Sequence, residues 1–292
     1  MKNGSLRAHV CKESGFWFVL PSVIILGGFG LAVTVANVWY SLQNWSALSA
    51  PSFVGLNNYQ RFISDPIAIR SLLNTLQYAL MYVFPTIVVS LALAMMLNRK
   101  GRLMGFFRAL YYVPVITSYV VVIVVWQWFF DYDIGLFNSV LGAFGLDKVP
   151  WLLSPDWSMP SLVLLSLWKN CGYTVLMFLA GLQTVDENLY EAAAIDGAGR
   201  WKLFWNITLP QIKPTTSLCV VMVTTWAFQM FVQPYMMTRG GPNYSTTTIS
   251  YYLYQQAFSS YNIGYGSAIA VIGVALFLLI VRVEKRLLGE GR

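Results

Sequence analysis

Few side chains in this sequence could carry covalent chemistry. His9 is the sole histidine, and Cys11, Cys171 and Cys219 are too far apart for a C-x-x-C pair. A histidine metal cluster, a zinc ribbon and a dithiol redox motif are therefore excluded. No G-x-x-x-x-G-K-[ST] run occurs, so the chain lacks a phosphate-cradling loop for ATP. What remains are polar groups inside long apolar runs: Tyr119, Gln127, Lys169, Asn170, Tyr173, Thr224, Thr225, Gln229 and Gln233. Their chemistry is hydrogen bonding, which suits a hydroxyl-rich solute, and Trp226 adds an aromatic face. Polar groups in hydrocarbon are costly and face a bundle interior or a cavity. Thr225, Gln229 and Gln233 recur every four residues, which puts them on one face of a helix. With Asn170 and Tyr173 they are the candidates for a solute pathway. The competing reading of each is interhelical glue, at ~0.6–2 kcal/mol per residue. Lys169 reads equally well as a cation that snorkels to the membrane interface.

The composition says what must position these groups. The chain has 292 residues, of which 57% are hydrophobic and 11% charged. An ordinary soluble domain has roughly 45–50% and 25%. A soluble globule could not cover its surface with so few charges, so an all-α membrane protein with several spans is expected. A helix needs about 20 apolar residues to cross the hydrocarbon core. Six runs qualify, at 16–42, 71–97, 109–130, 160–184, 215–237 and 263–281. The first run is too long for the core of a cleaved signal and reads as a retained anchor. Residues 1–15 then form a short N-terminal segment, and 16–292 form one six-helix domain. Pro85 and Pro114 are candidate kinks. The third to sixth runs contain no Asp or Glu.

The net charge of +7 does not point to nucleic acid. With six spans, 14 of the 19 Lys and Arg fall on the side of both termini and of the 98–108 and 185–213 loops. The positive-inside rule then places both termini in the cytoplasm. Trp126, Trp128, Trp151 and Trp157 fit an aromatic belt at the opposite surface.

The loop at 185–214 is far longer than a helical hairpin needs. Thr184 and Glu187 have the spacing of a capping box, and Asp186 is a second N-cap candidate. A short helix is expected from Glu187 to Asp196, ended by Gly197 and Gly199. A second is expected from Arg200 to Thr208, with Pro210 and Pro214 marking its exit. Both are too short to be stable alone, so they dock onto something. The first presents small side chains, Ala192 and Ala193, beside Glu191; the second presents Trp201, Phe204 and Trp205. Packing on the chain's own bundle or on the membrane surface competes evenly with docking onto a partner.

The run Glu191-Ala192-Ala193-Ala194-Ile195-Asp196-Gly197-Ala198-Gly199, followed by Phe204, Ile207, Leu209-Pro210 and Pro214, resembles the EAA loop of ABC importer permeases. Gly181-Leu182-Gln183, Leu189-Tyr190, Phe53-x-Gly55-Leu56-x-Asn58-Tyr59 and Thr238-Arg239-Gly240-Gly241-Pro242 resemble the carbohydrate-uptake branch, of the maltose and glycerol-3-phosphate type. The similarity runs from about residue 15 to the C-terminus. It implies a type I importer permease in a bacterial or archaeal plasma membrane. It also implies a second permease subunit as a heterodimeric partner, two ATP-binding cassette subunits, an extracytoplasmic solute-binding protein and a carbohydrate substrate. By position, Glu191, Ala192, Ala193, Asp196, Gly197, Ala198, Phe204, Leu209 and Pro210 would couple to the ATPase, with Gly197 giving the turn. ATP and magnesium would sit on that partner, with no cofactor and no catalytic residue here. The alternatives are a secondary transporter or channel for a small polar solute, which would want an intramembrane carboxylate, and a membrane protein that only docks a cytosolic partner.

Overall fold

The computed structural model describes residues 17–46, 49–98, 101 and 104–288. The expected 1–15 segment lies outside them. The chain falls into two compact units. One holds the residues up to 64 together with 253–271, and the other holds 65–252 and 272–292.

The first unit is built on α1 (Trp17–Ser41), a long apolar helix with no buried residue in its most apolar stretch. A short antiparallel ribbon follows, β1 (Gln43–Asn44) and β2 (Ser52–Phe53), in the register Gln43 to Phe53. Asn58, on α2 (Asn57–Ser64), donates to the carbonyls of Ser41 and Gln43 at 2.9 and 2.8 Å. The helix end is thereby given the partners that a C-terminus lacks. The Arg61 guanidinium lies 4.1 Å from the Tyr265 ring centre.

The second unit carries the candidate site residues. Its frame is α3 (Pro66–Leu97) against α7 (Pro155–Gln183) and α10 (Lys213–Phe228). Asp65 caps α3 by accepting from the backbone N–H groups of Ile67 and Ala68, and Pro66 supplies a pre-set first turn. The helix runs on through Pro85 to Leu97. Two of the apolar clusters hold these helices together, one around Leu97, Phe178, Leu182, Ile212 and Cys219, the other around Tyr78, Tyr82, Leu162, Val223 and Met230. α7 sits deepest, and at Gly172 it approaches α4 (Met104–Ile116) so closely that a methyl group would strike the Tyr111 carbonyl.

Among the described residues, four helices are long and apolar enough to span a membrane: α1, α3, α7 and α12 (Ile263–Leu287). The third expected span is broken. α4 and α5 (Tyr119–Phe129) meet at a 96° bend across Thr117 and Ser118, so the two make a fifth span only when counted together. Pro114 lies three residues before the break and cannot donate to the helix ladder. The fifth expected run also departs from a continuous helix. α10 ends at Phe228 after 16 residues, and a π-helical turn, Pro234–Thr238, follows the gap. Hydropathy alone sees neither interruption, because both lie within apolar sequence. The shorter elements are α6 (Leu136–Ala143), α8 (Glu187–Ile195), α9 (Arg200–Leu203) and α11 (Ile249–Tyr254).

Candidate functional site

The 185–214 loop folds as a jointed hairpin. Asp186, in extended conformation, accepts from the Asn188 N–H at 2.9 Å and so caps α8. Asp186, rather than Thr184, is therefore the N-cap, and the Thr184 hydroxyl donates to the Gly181 carbonyl at 2.8 Å. At the other end, Ala198 N–H reaches the Ala193 carbonyl at 2.9 Å and Gly197 N–H reaches that of Ala194 at 3.1 Å. With Gly197 at φ +73°, this is a complete Schellman stop. Among the described residues, no atom of a neighbour lies within 4 Å of where a Cβ on Gly197 would stand, so the demand for glycine here is conformational.

The second arm runs from α9 through a π turn, Phe204–Thr208, into Leu209–Gln211. Pro210 has no N–H for the Asn206 carbonyl and its ring crowds it, and the wider turn just ahead relieves that clash. The Tyr190 hydroxyl and the Thr208 Oγ1 stand 3.0 Å apart and tie the two arms together. Tyr190 and Ile207 pack onto the Leu97–Leu182–Ile212 cluster. Among the described residues, nothing gives the far end such cover. Glu191, Ala192, Asp196 and Gly197 are exposed, Ala193 and Ala198 half-buried, and Ile195 is 87% exposed. Phe204 and Leu209 are half-buried in the second arm, and Pro210 is exposed.

The interior polar residues divide. Asn170 donates to the Tyr82 hydroxyl at 3.0 Å. Tyr173 is exposed on α7, its ring edge-on to Trp226 at 5.5 Å. The Thr225 hydroxyl is spent on the Val221 carbonyl at 2.7 Å. Gln229 is exposed at the end of α10, whereas Gln233 is buried beyond the gap. The three therefore do not share one helical face. Gln233 Nε2 donates to the Tyr119 hydroxyl at 2.7 Å and to Ser166 Oγ at 3.1 Å. Lys169 does not snorkel. It is 4% exposed, donates from Nζ to the Val115 carbonyl at 2.9 Å, and lies 5.3 Å from the Tyr119 ring centre. Val115 is in the last turn of α4, where the bend leaves carbonyls without helical partners and a cation is favoured by the helix dipole.

Sequence reasoning missed two features. The 238–248 segment holds Arg239, Asn243 and Tyr244 at φ +49°, +48° and +57°, around a cis Gly241–Pro242 peptide. Its inner side is polar and buried: Thr246, Thr247 and Thr248 spend their hydroxyls on the Gly241, Gly240 and Met230 carbonyls. Asn74 of α3 donates to the carbonyls of Tyr244 and Thr247 at 2.6 and 2.9 Å. The Thr-Arg-Gly-Gly-Pro run was the one available signal. The second feature corrects the expectation of an acid-free sixth span. α12 runs six residues past 281, so Glu284 lies inside a membrane-length helix, where Thr224 donates to its Oε1 at 2.7 Å. Asp156, likewise, falls in the first turn of α7 because that helix starts at Pro155.

Residues 86–289 match the family described as binding-protein-dependent transport system inner membrane component. The chain belongs to that family. This permease is 36% identical over 270 residues to a sulfoquinovosyl glycerol transport system permease protein of Agrobacterium fabrum, covering 92% of this chain and 87% of the relative. It is 32% identical over 268 residues to a trehalose/maltose transport system permease protein of Thermococcus litoralis, with 90% of each covered. Among solved structures, a chain of a bacterial alginate ABC transporter in complex with an alginate pentasaccharide-bound periplasmic protein superposes with a TM-score of 0.82, covering 97% of this chain and 96% of that one at 22% identity. The permease is thus a multi-pass inner-membrane component of a binding-protein-dependent transport system, with the helical fold of ABC importer permeases.

Proposed function

We propose that this permease forms half of the translocation pathway of an ATP-driven carbohydrate importer and is driven through its 185–214 hairpin. The observation that supports this most directly is the hairpin's asymmetry. Its base is hydrogen-bonded and packed into the bundle, whereas its capped, glycine-jointed tip is bare and carries an apolar Ile195. A tip of this kind transmits force only when a partner grips it. Glu191, Ala192, Ala193, Asp196, Gly197 and Ala198 supply the gripped surface, and Phe204, Leu209 and Pro210 fix the second arm. The partners are a second permease, two ATP-binding cassette subunits that hold ATP and magnesium, and an extracytoplasmic solute-binding protein. Six passes with both termini in the cytoplasm put the hairpin on the ATPase side, and the broken third and fifth runs count as full passes. Nucleotide then biases the bundle between two openings.

A carbohydrate substrate is supported by the relatives, which carry sugar-transport names. It is also supported by Asn170, Tyr173, Gln229 and Trp226, which combine hydrogen-bonding groups with aromatic faces. Thr225 and Gln233 act chiefly within the bundle, their hydroxyl and amide N–H groups already being partnered. Glu284 supplies the intramembrane carboxylate that an ion-coupled carrier would want, yet the family is one of binding-protein-dependent transport, which favours the ATP-driven reading. The test is reconstitution of the permease with its ATPase and binding protein in vesicles. Glu191→Lys is expected to cut ATP-driven uptake at least about tenfold, with the thermal unfolding of the permease unchanged. Full uptake by that variant, or uptake that continues without ATP, would overturn the proposal.

A further inference from the structure

A groove of about 740 Å³ opens along the second arm of the hairpin. One wall is a strip of α3 with Val88, Ala92 and Met95, and the other holds Trp201, Phe204 and Trp205. None of its lining residues comes from α8, so it is a surface separate from the bare tip. Trp201 is 77% exposed. The groove offers almost nothing to a hydrogen-bonding ligand. Its two hydroxyls are spent, Thr208 on Tyr190 and Thr216 on the Ile212 carbonyl, each at 3.0 Å. Arg200 is its sole charged residue among those described. Lys202 follows two positions on, and the chain has no Asp or Glu between Asp196 and Glu284, or between Asp65 and Asp131. The charge lining the groove is therefore basic.

We infer that this groove holds one chain of an anionic phospholipid, with the headgroup phosphate on Arg200. Three features select that occupant. The α3 wall is part of a helix long and apolar enough to span a membrane, so the groove opens onto a surface suited to hydrocarbon. Trp201 and Trp205 have the amphipathic rings that settle at a membrane interface. A basic pocket between membrane helices near the surface recruits acidic headgroups. A sugar or a polar peptide would leave its own hydrogen bonds unmet against this wall. The inference rests on the proposed orientation of the hairpin only for the leaflet from which the lipid is drawn.

The test uses the assembled transporter in nanodiscs, which expose both leaflets to the probe. Diazirine-tagged phosphatidylglycerol and phosphatidylcholine are compared, and the adducts are mapped by peptide mass spectrometry. Phosphatidylglycerol is expected to label the 87–95 and 200–209 peptides. Arg200→Glu should cut that labelling by about fivefold or more, the effect expected from a basic residue near an anionic surface. Phosphatidylcholine should label the same peptides less and be indifferent to Arg200→Glu. Ala92→Trp, which fills the groove, should suppress both. Equal labelling by the two lipids with no response to Arg200→Glu overturns the inference. So does capture of the ATPase or the second permease by a photoreactive p-benzoylphenylalanine placed at Met95. ATP-driven uptake by the same assembly reports separately on the coupling proposal, so failure of one leaves the other readable.

Discussion

Two irregular segments of this permease handle an awkward backbone in opposite ways. The 238–248 segment carries three non-glycine residues in the left-handed region, a conformation that costs of order 1–3 kcal/mol each. It holds them from within: its threonines close hydrogen bonds onto its own carbonyls, and Asn74 clamps it to α3. The 185–214 hairpin places glycine where the left-handed turn falls, so it stores little strain, and it leaves its tip without cover. The first segment is finished by its own chain. The second has a packed base and an exposed end, the part that the proposed function assigns to a partner.

Substitutions can break or sharpen this contrast, and the largest effect is expected at Asn74. Asn74→Leu removes both amide bonds, leaving the Tyr244 carbonyl with only the longer Thr247 N–H at 3.3 Å and the Thr247 carbonyl without its side-chain donor, at about 1–3 kcal/mol in all. Global thermal stability should fall, and the 238–248 segment should become as open to protease as an unclamped loop. Unchanged amide exchange in that segment would show that the threonines suffice without the clamp. Gly197→Val comes next. A β-branched residue at φ +73° costs about 1–2 kcal/mol, and the space around it is open, so the damage should stay local. Amide protection at Gly197 and Ala198 should drop, transport should weaken, and the melting temperature of the bundle should hold. Asp186→Ala removes the cap of α8 at about 1 kcal/mol and should raise exchange only at Asn188 and its neighbours. If Gly197→Val or Asp186→Ala lowered the global melting temperature as much as Asn74→Leu, the hairpin would be part of the bundle's fold and the contrast would fail.

How far the sequence could be read follows the same division. Much of the hairpin was legible, because caps and glycine stops are local signals; the departures are Thr184, whose hydroxyl found the Gly181 carbonyl of its own helix, and Pro210, which was expected to mark the exit of the second arm but lies within its helical Leu209–Gln211 turn. Long spans were legible from hydropathy because length is all that test requires. The bend between α4 and α5 was hinted at only by Pro114, and the gap after Phe228 by nothing, since Gln229 looked like one more member of a four-residue repeat. Lys169 could not be assigned for the same reason: its partner, the Val115 carbonyl, is free only because the neighbouring helix ends there. The Asn74 clamp joins residues 170 and 173 positions apart, and no local pattern announces it.

The bare Ile195 also bears on how the cell keeps its subunits in balance. A copy made without partners displays a greasy side chain on the first arm of the hairpin, with a large indole on the adjoining arm. That is the kind of surface that chaperones and membrane proteases engage, and the proposed docking onto an ATPase would hide it. The feature proposed to serve as a lever would then also mark a solitary copy for removal.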